Sequence, residues 1–147
     1  MNDAHLHLVF NHLPIIVPAI GLLLMIGGFI FRSEVVKRTS YCIFVLGALC
    51  TIPAFSTGEG AEEVVEHLQG IDEKFIGIHE EVAETFALLS YILGGVSMLG
   101  LWSNFKKKSF SNILALITIV FSIVVLFFAK QTGTTGGEIR HTEIRSE

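Results

Sequence analysis

The stretch LPIIVPAIGLLLMIGGFIF, residues 13–31, decides the fold, because it holds no charged or polar side chain. A helix of about 20 residues crosses the hydrocarbon core of a bilayer, and this run has that length. Helices packed in a water-soluble bundle keep a polar face at 3.6-residue spacing, and here there is none. Three further charge-free runs follow, at 39–58, 85–105 and 109–129. The whole chain of 147 residues is 51% hydrophobic and only 16% charged, with mean hydropathy +0.63. A soluble domain carries about 25% charge, so the balance excludes a soluble globular protein, a disordered chain and a nucleic-acid binder. The expected fold is an all-α, polytopic membrane four-helix bundle in one transmembrane domain, with an outer loop at 59–84 and a mobile tail at 131–147.

The loops set the direction. Arg32, Lys37 and Arg38 lie between the first two runs, and Lys106, Lys107 and Lys108 between the last two, six of the ten basic residues in all. The positive-inside rule makes both loops cytoplasmic and puts both termini outside, in a bacterial inner (cytoplasmic) membrane. Thirteen of the fourteen acidic residues then lie outside, and only Glu34 lies inside. The start, Met-Asn-Asp, lacks the basic segment of a cleavable signal, so the first run is expected to stay as a helix. Cys42 and Cys50 fall within one span and give no disulfide framework.

Two hairpins that both enter from outside point to two parallel repeats. His12 precedes the first span and His79 the third, each followed 15 residues later by a Gly-Gly pair, Gly27-Gly28 and Gly94-Gly95. Thr57-Gly58 closes the second span and Thr132-Gly133 the fourth, with His67 and His141 further on. In a bundle of that symmetry the first and third spans are diagonal. His12 and His79 are then expected to converge near the outer surface.

The stretch His7-Leu-Val-Phe-Asn-His12-Leu-Pro14 resembles the motif H-P-x-x-x-H-F-P, which opens a bacterial membrane family labelled domain of unknown function twenty-two thirty-one. The likeness extends to Thr57-Gly58 and to a histidine opening the third span, here His79. Leu8 and Leu13 stand where the motif has proline and phenylalanine. The resemblance implies a four-span fold. Relatives joined to Rieske or c-type cytochrome domains would place it in membrane electron transfer.

Ionisable groups at the edge of a bilayer are functional candidates by default. The leading reading is haem b held by His12 and His79 as axial ligands, with His7 and His67 as further candidates for the same group. Gly21, Gly27, Gly28, Gly94 and Gly95 would let the ring approach, although small residues at these places equally serve helix packing. Phe10, Phe55, Phe75 and Phe86 are near the right depth, and Lys74, Lys130 or Arg140 would meet propionates. A second reading is a non-haem Zn, Fe or Cu site of His12, His79, His67 and Glu63, the last two being four residues apart on one helix. Against it stands a solvated amphipathic helix with Val64, Val65 and Leu68 towards lipid. A third reading is a cofactor-free accessory subunit of a larger membrane complex. Together these describe an electron carrier or subunit rather than an enzyme. Its expected partners are lipid, a quinone or respiratory redox protein, and a second copy or larger complex.

Overall fold

The computed structural model describes residues 2–145. Six helices follow one another: α1 (Asp3–Phe10), α2 (Leu13–Ile30), α3 (Glu34–Ser56), α4 (Gly58–Val65), α5 (Glu73–Phe105) and α6 (Ser111–Arg140). Local chemistry places their starts. The Asn2 side chain accepts from the His5 amide at 3.0 Å, Ser33 from Val36 at 3.4 Å and Asp72 from Lys74 at 3.0 Å, satisfying amides that the first turns leave free. Pro14 opens α2, where its missing N–H costs nothing.

The four long helices form a ring in which α2 packs on α3, α3 on α5, α5 on α6 and α6 on α2. This leaves α2 diagonal to α5, as the repeat requires. The core is Met25, Tyr41, Phe44, Phe86, Leu93, Ala115, Val125 and Ala129. Small residues let the helices close on it: a Cβ on Gly21 would come within 2.9 Å of the Phe44 ring, and one on Gly100 would run into the Tyr41 ring. Gly28 and Gly94 likewise abut Lys37 and Ala48, while Gly27 and Gly95 face open space. The glycines expected to admit a ring are thus spent on helix packing or face away from the core. Outward, Leu23, Ile30, Leu88, Met98, Ile113 and Phe127 are each more than half exposed. An apolar surface of that extent needs an apolar solvent, and four helices are long and apolar enough to cross a membrane.

Both hairpin turns have the same construction. Arg32 (φ 51°) and Lys107 (φ 49°) take the left-handed conformation just past α2 and α5. The next amides reach back six-to-one, Ser33 to the Gly28 carbonyl and Lys108 to that of Ser103, both at 2.9 Å. Beside these turns lies a tight polar knot, here termed the lysine end. Buried Lys37 pairs with Glu34 at 2.6 Å and donates to Asn112 Oδ1 at 2.9 Å. Arg38 Nε donates to Asn104 Oδ1 at 2.6 Å, and the Asn104 amide donates to the second Glu34 oxygen. The ammonium of Lys37 holds the Glu34 carboxyl below its ordinary range.

At the opposite, histidine end the helices outrun the apolar runs. α5 begins at Glu73, and the segment expected as a mobile tail continues α6 to Arg140. Beyond the hydrocarbon, water solvates charged side chains and a helix need not stop. The Thr132 and Thr135 hydroxyls donate to the carbonyls four residues back, at 2.9 and 3.1 Å. Arg145 folds back onto the carbonyls of Glu138 and Ile139, and its guanidinium lies 4.0 Å from the Phe75 ring on α5. The segment 59–84 is likewise mostly helix rather than loop: α4 packs on α1, with Ala61 buried.

Candidate functional site: two cradled imidazoles

α1 lies across the ends of α3 and α4 and carries His7 inward. Its Nδ1 is 2.9 Å from the Ala54 carbonyl and 3.4 Å from the Thr57 hydroxyl. Ala54 lies in the last turn of α3, where carbonyls lack a full set of helical donors, and its spare acceptor is used here. Gly58 lies along the ring, where a Cβ would stand 3.9 Å from Cε1.

His79 has the matching arrangement in the other half. Its Nδ1 is 3.1 Å from the Thr135 hydroxyl. Gly136 lies against the ring, where a Cβ would come to 3.0 Å from Cε1. Each imidazole therefore meets a Thr-Gly pair, and His7 in addition the carbonyl three residues before its threonine. Thr57-Gly58 corresponds to Thr135-Gly136, one turn beyond the Thr132-Gly133 pair that spacing alone favoured.

The hydrogen bonds fix the tautomers. A carbonyl only accepts, so His7 must carry its proton on Nδ1. The Thr135 hydroxyl also stands 3.1 Å from the Gln131 carbonyl, and with its proton directed there its oxygen accepts from His79 Nδ1–H. Neither Nε2 atom has a hydrogen-bond partner among the described residues. Burial pushes the His7 imidazole below its ordinary value of 6.5. Burial, and then the charge of His7, do the same to His79. Both are neutral at pH 7, as a ligand imidazole must be.

The remaining candidates sit elsewhere. His7 and His79 are the two half-buried histidines with a partner on another helix. His12 is the N-cap of α2, exposed, and bonded to its neighbour Asn11 at 2.5 Å. α1 ends at Phe10, and the break before Pro14 puts His12 at the surface turn. His67 is exposed, 3.7 Å from Glu66, and lies past the end of α4, so it shares no helix face with exposed Glu63. His141 pairs with Glu143 at 2.9 Å beyond α6, and His5 is exposed. Among the described residues no three of His, Cys, Asp and Glu come together as a metal site. A cleft of about 370 Å³ between α5 and α6, lined by Val82, Phe127, Lys130 and Gln131, shares Thr135 with the His79 cradle. Of the expected aromatics, Phe86 is buried in the core, Phe55 is half exposed and Phe75 is covered by Arg145.

No family model, curated protein or solved structure matches the chain. Its chemistry is therefore read from the site.

Proposed function

We propose that this is a multi-pass protein of a bacterial inner membrane, with the histidine end outside, that holds haem b between His7 and His79 for electron transfer. The observation that carries this reading is the pair of imidazoles. Each is fixed through Nδ1 and presents a bare Nε2. Metal-ligating histidines are oriented through their other nitrogen in this way. The donor count favours haem over a lone Zn, Fe or Cu ion. A structural zinc takes four ligands and a catalytic one three from the protein, whereas haem iron asks the protein for only one or two. Bound haem would supply a one-electron Fe(III)/Fe(II) couple. The protein's part is to hold both rings neutral, set their orientation and raise their basicity through the Ala54 and Thr135 acceptors. Lys130, in the neighbouring cleft, is the nearest candidate for a propionate. The charge asymmetry supports the orientation, and the electron partner on this reading is a membrane quinone or an external redox protein. The resemblance to the domain of unknown function twenty-two thirty-one family agrees with it, with His7, rather than His12, as the working histidine of the motif.

The test is the visible spectrum of the detergent-purified chain, oxidised and then reduced with dithionite. A Soret band with sharp reduced α and β bands is expected. His7→Ala and His79→Ala should each abolish them, and His12→Ala should keep them. A featureless spectrum from haem-replete cells overturns the reading and leaves a cofactor-free accessory subunit.

A further inference from the structure

The polar knot at the lysine end leaves something over. A cavity of about 250 Å³ opens between α3 and the turn that joins α5 to α6, lined by Arg38, Lys107, Lys108, Ser111 and Asn112, with Glu34 and Asn104 at its base. Its charges do not cancel. Both Glu34 oxygens are taken, one by Lys37 and the other by Asn104. Arg38 is held in place by its Nε bond to Asn104 and by the Phe105 ring 4.4 Å away, which leaves its two terminal amino groups without a protein partner among the described residues. Lys107 and Lys108 likewise have no acidic partner among the described residues, and Lys108 lies 5.6 Å from the Trp102 ring. Around the rim Phe105, Trp102 and Phe110 are 60%, 51% and 42% exposed, an aromatic girdle of the kind found at headgroup level.

We infer that this cavity binds the phosphate of an anionic phospholipid. A fixed guanidinium fork with two ammonium groups beside it matches a phosphodiester, and basic pockets between spans are where such headgroups seat. The aromatic rim and the exposed apolar faces of α5 and α6 running away from it fit acyl chains, which selects a lipid over a soluble phosphate. The inference shares with the proposed function only the membrane setting. It needs no haem.

The test is native mass spectrometry of the full chain in detergent, with phosphatidylglycerol and phosphatidylcholine competing. The wild type should retain phosphatidylglycerol about tenfold more tightly. Arg38→Gln and the double variant Lys107→Gln/Lys108→Gln should each bring that ratio close to one. The double variant guards against Arg38→Gln acting through misfolding, because both lysines are exposed. Lys106→Gln, one residue outside the cavity, should keep the preference. Equal binding of the two lipids, or an equal loss in Lys106→Gln, overturns the site in favour of general loop charge. Displacement of the lipid by millimolar inorganic phosphate overturns the choice of lipid.

Discussion

The two ends of the bundle treat their ionisable groups in opposite ways. At the lysine end Glu34, Lys37, Asn104 and Asn112 satisfy one another across α3, α5 and α6, and Arg38 joins them through Nε alone. At the histidine end His7 and His79 are each satisfied on one nitrogen and left bare on the other. A closed network holds helices together, and removing one member strands the rest. A half-closed one spends only what it needs to orient a donor and keeps the remainder for something that arrives. The contrast separates a group that stabilises from one that binds.

The strongest attempt to break that contrast is Gly136→Leu. A side chain there would be driven into the His79 ring, which already stands 3.0 Å from where a Cβ would sit. Loss of the Soret band is expected, with at least about a tenfold fall in affinity, while thermal stability changes little. An unchanged spectrum would show that the cradle does not position the ring. The counterpart at the other end is Glu34→Ala. It leaves the buried Lys37 ammonium with Asn112 alone and should cost about 2 kcal/mol, below the value for a fully buried pair because Glu34 is half exposed. Differential scanning calorimetry should report that loss, and the spectrum should be unaltered.

A finer comparison lies between the two cradles. Thr135→Val removes the one acceptor that the side-chain geometry gives His79, whereas Thr57→Val leaves His7 its carbonyl at 2.9 Å. Haem release should quicken in Thr135→Val by the equivalent of about 1 kcal/mol and less in Thr57→Val. Equal effects would mean that the carbonyl contact is unimportant. The smallest effect is in pH. The folded values of both histidines lie below the ordinary 6.5, so the unfolded chain takes up protons first as the solution is acidified. Their contribution to stability is present above pH 6.5 and is lost as pH falls through the lowered values. Glu34 is also depressed, from 4.5, so the lysine end keeps its contribution above that pH and loses it only in stronger acid. Hydrogen exchange followed from pH 7 to 4 should open the α1 region before the turn at Ser33.

Much of this was legible in the sequence. Four charge-free runs dictate four helices, because lipid offers no partner for a bare backbone. His79 was legible as a histidine opening a span. The extra helix at the histidine end was not, since the composition of Thr132-Gly-Thr-Thr-Gly-Gly137 argues for a loop, while in the structure Thr135 contacts His79 and Arg145 folds back just beyond the stretch. The choice of His7 over His12 was within reach. Pro14 announces a helix start, and the residue two before a first-turn proline is a cap at the surface rather than part of an inward face. The pairing of Thr135-Gly136 with Thr57-Gly58 was hidden, because two threonine-glycine pairs three residues apart compete and periodicity cannot choose between them.

The doubled cradle has a consequence for ancestry. Each half of the chain contributes one imidazole, one threonine-glycine pair and one left-handed turn, at Arg32 or Lys107. A lone hairpin associating with its own twin about a twofold axis would therefore present two inward histidines before any fusion had occurred. Joining such copies end to end would make the arms separately heritable. One arm could then keep a carbonyl partner while the other relied on a hydroxyl, and the two imidazoles could drift apart in donor strength.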